Sequence, residues 1–208
     1  MIINILGGSK FILGYGLARK SKQSIYAPLV FGMHHVYLTQ AENGELPSGV
    51  KPTASHYSDL LALDCAGEDS GIDFWFNKSG YWICLGRWGN AGTTFFGSCD
   101  NKGDFLPVHC ADGVDRIVTI ALTHSKLKYT TGNIYTPEMV MYQEGTAGFA
   151  TGNHIHIEVG IGWQVKKYKI NGHYRLRNAL KPSDVFFLKR GWHTVVTKGV
   201  ERNWKWID

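Results

Sequence analysis

The sequence predicts a mainly β protein, an antiparallel sheet or sandwich with an open groove and few short helices. Its 208 residues include 25 Gly, 7 Trp and 10 Tyr, a composition that indicates many short strands joined by turns. No long stretch repeats its apolar residues at helical spacing. A hydrophobic content of 44% is enough for one well-buried core in a chain of this length.

The chain is expected to divide into an N-terminal extension or linker, residues 1–25, and one domain, residues 26–208. The apolar start is interrupted by Lys10 and four glycines, and no basic residue precedes it. It is therefore too broken for a membrane span and lacks the layout of a standard secretory signal. We expect no membrane insertion.

The formal net charge of +5 favours a polyanionic partner, such as nucleic acid, a membrane surface or an anionic wall polymer. The sequence contains no RNA-binding sheet motif, no zinc-finger spacing and no basic recognition helix. Nucleic acid therefore ranks below a wall polymer, and the family resemblance described below is the reason that it is not expected as a partner.

The segment 151–159, TGNHIHIEV, is the strongest functional signal in the chain. In a strand, His154, His156 and Glu158 share one face, while the aliphatic residues between them face the core. Two imidazoles one strand repeat apart can share a cavity, and imidazole both binds zinc and carries protons near neutral pH. The pattern predicts a metal site with a proton carrier, although a merely polar strand face also has this spacing.

Two other polar residues occur where a buried strand is predicted. Asp64 lies in the apolar run 61–65, where a carboxylate needs either a metal or a structural ion-pair partner. His124 follows the β-branched run 114–122, a position suited to catalysis and equally to a capping or surface role. From these residues alone, both alternatives stay open.

The context of the histidine strand resembles a known family. Residues 143–159 read QEGTAGFATGNHIHIEV, a glycine-rich turn followed by His-x-His, an apolar residue and Glu. This order is similar to that of the lysostaphin-like zinc endopeptidases of peptidoglycan, and most of all to their phage lysin and phage tail-associated branch. The resemblance covers residues 54–160, the motif core, and leaves residues 161–208 as a C-terminal extension.

The resemblance implies that His56, Asp64 and His156 are the zinc ligands. Residues 62–67, ALDCAG, match the family's Ala-x-Asp-x-Ala-Gly setting for the ligand Asp. One departure is that seven residues separate His56 from Asp64, whereas the shortest family spacing has three. Asp59 offers a closer carboxylate and is the second choice for this ligand.

The resemblance further implies that His124 and His154 are catalytic. They would take the proton of the attacking water, steady the tetrahedral intermediate and protonate the leaving amine. Which of the two is the general base stays open. Glu158 shares the face of the histidines and would orient one of them as a hydrogen-bond acceptor.

The function that follows is zinc-dependent hydrolysis of peptide bonds in bacterial peptidoglycan, in the stem peptide or the cross-bridge. The protein would act as part of a phage virion or as a released lysin, with teichoic acid as an additional anionic partner. Two alternatives are a non-catalytic wall-binding or structural tail module with the same fold, and a zinc amidase that cuts the link between sugar and peptide.

The other histidines and the cysteines are predicted to have no ligand role. His34 and His35 are adjacent in a predicted strand, so they should point to opposite faces and not reach one ion. His173 and His193 are expected at the surface or in the core. Because the four cysteines show no C-x-x-C pair, they are predicted to be free buried thiols: Cys65, Cys84, Cys99 and Cys110.

Three local patterns concern the rest of the chain. Asn171-Gly172 predicts a hairpin, and a short helix or turn is expected with its cap near Ser183. The alternation of aromatic and turn residues over 74–110 predicts hairpins. Its tryptophans are expected in the core or along a groove: Trp75, Trp82 and Trp88.

Overall fold

The computed structural model describes residues 28–40, 61–67, 73–75, 80–137, 139–197 and 204–208. Their regular secondary structure consists of one short helix, α1 (Pro182–Val185), and strands that are joined by turns and loops. The strands are β1 (His35–Gln40), β2 (Ala62–Ala66), β3 (Asp73–Trp75), β4 (Tyr81–Trp88), β5 (Thr93–Cys99), β6 (Val108–His109), β7 (Asp115–Arg116), β8 (Val118–Thr123), β9 (Ile134–Tyr135), β10 (Val140–Gln143), β11 (Ile155–Ile161), β12 (Tyr168–Ile170), β13 (His173–Arg175), β14 (Ala179–Leu180), β15 (Phe187–Lys189), β16 (Thr194–Thr197) and β17 (Lys205–Ile207). The prediction of a mainly β protein is confirmed.

Within the described residues, one sheet of nine strands dominates the architecture. Its order is β16-β1-β2-β11-β8-β5-β4-β9, with β14 paired to β11. All pairs are antiparallel except β1 with β16. The histidine strand β11 lies in the middle, between β2 and β8.

One face of this sheet carries the main hydrophobic core. The aliphatic positions of β11, Ile155, Ile157 and Val159, are completely buried and belong to a single apolar cluster with Leu122 and Phe96. This alternation is what the sequence pattern predicted, because successive strand residues point to opposite faces. The core therefore fixes which face of β11 presents the histidines.

On the opposite face, polar side chains form a row across neighbouring strands at one end of the sheet. The strand register pairs Asp64 with His156 and His156 with Thr123, and the row is extended on one side by Gln40 and on the other by Thr93. The hydroxyl oxygens of Thr123 and Thr93 are 3.0 Å apart. Backbone pairing thus brings Asp64 and His156 together although 92 residues separate them in sequence.

The segment after β11 returns over the polar face. Its hairpin β12–β13 turns at Asn171 and Gly172, which have φ values of 51° and 86°, so the predicted turn is confirmed. Leu176, directly after the hairpin, packs with Phe95 and Ala121 in a second, smaller apolar cluster. The short helix is also confirmed, but Lys181 is its N-cap residue and the cap has no side-chain hydrogen bond, so Ser183 is not the cap.

The cysteines and the tryptophans are placed largely as predicted. All four cysteines are free and buried, and Cys65 lies in the main core while its neighbour Asp64 faces the polar row. Trp82 is in the core, whereas Trp88 is half-buried beside the smaller cluster. The side chain of Trp75 lies outside what the structure describes.

The expectation that His34 and His35 point to opposite faces is wrong. Their rings stack on each other with centroids 4.6 Å apart, and Trp192 stacks on His34 at 5.3 Å. The opposite-face argument fails because β1 begins only at His35, so His34 does not have strand alternation. His193 does have the structural role predicted, since its ring nitrogens bond to the backbone of Lys189 and Phe31.

Candidate active site

An open groove of about 770 Å³ lies over the polar end of the sheet. Asp64, His156 and Thr123 form its floor, with His124 and His154 beside them. The glycine-rich loop before β11 forms one wall through residues 148–153. The segment after β11 contributes Lys167 and Tyr174.

His156 lies between two carboxylates on the groove floor. Its Nδ1 is 2.8 Å from Asp64 Oδ1, and its Nε2 is 3.0 Å from Glu158 Oε1. Burial opposes the charged imidazole, but Asp64 and Glu158 outweigh this and raise the pKa of His156 to about 9. The Nδ1 atom and Asp64 are therefore linked by a proton, which has to leave if the pair is to bind a metal.

Glu158 is completely enclosed beneath the groove, with 1% of its surface exposed. It accepts hydrogen bonds from His156 Nε2, from the backbone N–H of Leu176 at 3.1 Å and from Lys167 Nζ. Burial disfavours its charge, yet Lys167 and His156 lower the pKa of Glu158 to about 2. Glu158 is thus an ionised carboxylate in contact with His156.

His154 lies one strand repeat before His156, at the entry to β11. Its Nδ1 lies 2.8 Å from the carbonyl oxygen of Gly152, and its Nε2 lies 3.8 Å from Asp64 Oδ2. Its ring packs against that of His124, with centroids 4.4 Å apart. The two predicted catalytic residues are therefore neighbours at the same end of the groove.

His124 is held in an unusual backbone conformation where β8 ends. Its φ of 89° is rare for a residue with a side chain and turns the chain sharply out of the sheet. Two links to Ala147 stabilise it: the Ala147 N–H donates to His124 O at 2.8 Å, and His124 Nδ1 donates to Ala147 O at 2.7 Å. Burial lowers the pKa of His124 to about 4, so its ring is neutral at neutral pH.

The glycine-rich loop packs closely against the chain at His124 and at Ala91. A Cβ atom on Gly145 would lie 2.5 Å from the carbonyl oxygen of His124, and one on Gly148 would lie 2.7 Å from Ala91 Cβ. Gly148 also has a φ of 78°. Because glycine has no Cβ atom to clash, the loop can lie directly against His124 and Ala91, and this explains why the segment is rich in glycine.

The three imidazoles share one pattern of hydrogen bonding. Each has one ring nitrogen held by a fixed acceptor: Ala147 O for His124, Gly152 O for His154 and Glu158 for His156. In the neutral ring this bond fixes the tautomer, because the nitrogen that donates must carry the proton. The other nitrogen of His124 is then an acceptor, as general base catalysis requires, whereas Nδ1 of His156 becomes an acceptor for a metal only after it loses the proton that it shares with Asp64.

The donor set fits zinc in its chemistry, and the described residues supply part of it. Asp64 and His156 bring a carboxylate and an imidazole nitrogen together on the groove floor. The third predicted ligand, His56, and the second choice Asp59 lie outside the described residues. Among the described residues, no group of three His, Cys, Asp or Glu side chains could hold a metal ion. The zinc assignment therefore stays a prediction.

Sequence reasoning missed two residues of the groove, Lys167 and Tyr174. Lys167 is 9% exposed and bonds to Glu158, whereas Tyr174 is 58% exposed and packs against Trp88, with ring centroids 5.2 Å apart. Both belong to the segment after β11, whose path over the sheet depends on tertiary packing. The only sequence signal was the hairpin turn at residues 171–172, which does not say where the hairpin docks.

No protein-family model matches the sequence, and no curated protein matches it. Among solved structures, the chain is similar to the catalytic domain of the antimicrobial peptidase lysostaphin from Staphylococcus simulans, crystallized in the absence of phosphate, with 16% identity and a TM-score of 0.41 over 66% of this chain and 86% of that one. It is also similar to the antimicrobial peptidase lysostaphin from Staphylococcus simulans, with 15% identity and a TM-score of 0.42 over 75% of this chain and 53% of that one. The chain thus spans about half the length of that second protein.

Proposed function

We propose that this protein is a zinc-dependent endopeptidase that hydrolyses peptide bonds of bacterial peptidoglycan. The observation that carries the proposal is the convergence of Asp64 and His156 with two further imidazoles on the floor of one open groove. If the histidines only formed a polar strand face, there would be no reason for His156 to contact Asp64 or for His124 to approach from the end of a different strand. The order of the motifs around these residues supports the assignment to wall peptides.

Asp64 and His156, with His56, would hold the metal in the proposed site. Zinc supplies a Lewis acid that polarises a carbonyl group and makes water nucleophilic near neutral pH. His124 presents a neutral Nε2 as a proton acceptor, because its Nδ1 is committed to Ala147 O. His154, with its ring against His124, is placed to steady the developing oxyanion and to deliver a proton to the leaving amine.

The shape of the groove suits an extended peptide. Two exposed aromatic side chains line it: Phe149, which is completely exposed, and Tyr174, which is 58% exposed. Exposed aromatic rings at a groove are suited to packing against peptide planes or sugar rings. We propose that they grip the wall polymer on either side of the bond that is cut.

A zymogram on purified bacterial walls tests the function. The protein should clear the walls, lose activity with a chelator, regain it with added zinc, and release new amino termini of amino acids. His154→Ala should abolish clearing. His109→Ala is the matched control, because His109 pairs with Asp115 at 2.8 Å and does not line the groove. New amino termini found only on the amino acid that was attached to the sugar would contradict an endopeptidase and indicate an amidase.

One observation favours a second candidate, a non-catalytic wall-binding or tail module with the same fold. Both nitrogens of His156 have carboxylate partners, an arrangement that is stable without any metal. The two candidates differ in metal content. Mass spectrometry of protein purified without a chelator should find one zinc per chain for the enzyme, and none for the inert module.

The proposed biological setting is phage-type lysis or entry, with peptidoglycan as substrate and teichoic acid as an additional anionic partner. Among the described residues, no helix is long and apolar enough to cross a membrane. Immunoblots of purified virions and of cleared lysates test the setting directly. Signal in virions supports a role in entry, signal only in lysates supports a released lysin, and signal in neither overturns the phage assignment.

A further inference from the structure

A largely enclosed lysine, Lys167, lines the groove and takes no part in the chemistry proposed so far. Lys167 has 9% of its side chain exposed, and its Nζ contacts Glu158 Oε1, whose side chain is 2% exposed. A lysine is rarely buried unless an opposite charge pairs with it. Glu158 Oε1 is also the atom that faces His156 Nε2. Lys167 is thus linked to His156 on the groove floor through the carboxylate of Glu158.

The position of the Glu158 carboxylate is fixed by two residues of the returning segment, Lys167 and Leu176. Oε1 is held by Lys167 Nζ and faces His156 Nε2 at 3.0 Å, whereas Oε2 accepts the backbone N–H of Leu176 at 3.1 Å. Lys167 and Leu176 both belong to the segment that returns over the sheet after β11. That segment therefore determines where the acceptor for His156 lies.

We propose that Lys167 is a positioning residue that acts on His156 through Glu158. By bonding to Glu158 Oε1, it holds the carboxylate in place against His156 Nε2, which lies 3.0 Å from that oxygen. The other nitrogen, Nδ1, is then directed at Asp64, from which it lies 2.8 Å. The inference rests on the function proposed above for its link to zinc, but the hydrogen bond itself can be measured without metal.

The simpler alternative is a structural ion pair that only fastens the returning segment to the sheet. The two roles predict different consequences for a Lys167→Met variant, which keeps the apolar stem and removes the charge. A fastening role lowers the melting temperature and leaves the imidazole of His156 as it was. A positioning role changes the Nε2–H bond itself, because a buried carboxylate that has lost its lysine partner moves to find another.

The test uses imidazole NMR on the full chain without metal, together with zinc competition against a fluorescent chelator. The wild-type protein should show a His156 Nε2–H proton that is protected from exchange with solvent. Lys167→Met should lose this signal and bind zinc about tenfold more weakly, as is typical when the hydrogen-bond partner of a ligand is disturbed. Lys167→Arg should keep both properties. Lys169→Met is the matched control, because Lys169 is exposed on β12 of the same segment.

A compensating variant keeps the inference falsifiable if Lys167→Met folds poorly. Lys167→Met combined with Glu158→Gln removes both charges and leaves an amide oxygen that can accept from Nε2, so it should recover folding and part of the protected signal. An unchanged signal and unchanged zinc competition in Lys167→Met would overturn the positioning role. A wild-type protein that binds no zinc and cuts no wall refutes the proposed function instead, and the NMR result still decides the role of Lys167.

Discussion

His156 Nδ1 lies 2.8 Å from Asp64 Oδ1, and the two residues are directly paired in the register of β11 and β2. The contact is therefore built into the backbone pairing of the sheet and does not depend on a flexible loop. A shift of β11 by one residue would turn both His154 and His156 toward the core. The completely buried Ile155 and Ile157 prevent such a shift, since it would expose them on the groove side.

The first prediction concerns the glycine-rich loop. Gly145→Ala should destabilise the protein by about 1–3 kcal/mol and lower its melting temperature by roughly 2–12 °C, because the new Cβ would lie 2.5 Å from His124 O. Wall hydrolysis should fall as well, since the clash displaces His124. Melting curves and wall-clearing rates measure the two effects.

The control for this variant is Gly152→Ala in the same loop. A Cβ on Gly152 would meet nothing within 4 Å, so the melting temperature should stay near that of the wild type. Equal melting temperatures for both alanine variants would show that the loop does not need its close approach to His124.

The second prediction concerns the exposed aromatic ring on that loop. Phe149→Ala should raise the KM for wall peptides about threefold to tenfold, the range expected for one lost aromatic contact, without lowering the melting temperature. Phe149 is completely exposed, so its removal costs no packing in the free protein. Val114→Ala is the control, because Val114 is 47% exposed and does not line the groove. An unchanged KM in Phe149→Ala would remove this ring from the substrate site.

β11 and the segment that follows it show which parts of the fold and of the site could be predicted from the sequence. Strand alternation was enough to place His156 and Glu158 on one face, because one buried face fixes the register locally. The contact between His156 and Asp64 needed the family resemblance, since pairing of β2 with β11 is a long-range property. Lys167 could not be predicted, because its position depends on how the returning segment packs on the sheet. The expectation for His34 failed at an element boundary, which is the least certain feature of a sequence pattern.

The third prediction concerns wall binding and its dependence on salt. Lys166 and Lys169 are exposed on the returning segment, near the groove. Changing both to Glu should weaken binding to intact walls at low ionic strength, and the difference from wild type should shrink as salt screens the charges. Pull-down on intact walls and on walls stripped of teichoic acid measures this.

A variant with the same change in net charge serves as the control for wall binding. Lys126→Glu with Lys128→Glu alters two exposed lysines in the loop after β8, outside the returning segment. If both double variants lose binding equally, the attraction depends on net charge alone and the returning segment is not a specific anionic contact.

The last prediction separates the residues that hold the metal from those that move protons. His156→Ala and Asp64→Ala should lose most of the zinc and all activity, because removing one of three ligands leaves a weakly binding site. His124→Ala and His154→Ala should keep nearly one zinc per chain and lose on the order of a hundredfold or more in rate. Zinc analysis, melting curves and wall-lysis rates are measured in parallel for these four variants and for His56→Ala, which is expected to behave as a ligand variant.

The distances to Asp64 bear on which of His154 and His156 is the metal ligand and which is the proton carrier. His156 Nδ1 is 2.8 Å from one Asp64 oxygen, whereas His154 Nε2 is 3.8 Å from the other. The shorter contact, together with the support of Glu158 behind His156, favours His156 as the ligand. If His154→Ala loses zinc while His156→Ala retains it, the two roles must be exchanged. In that case His156, enclosed between Asp64 and Glu158, would be the proton carrier, and His154 would share the metal with Asp64.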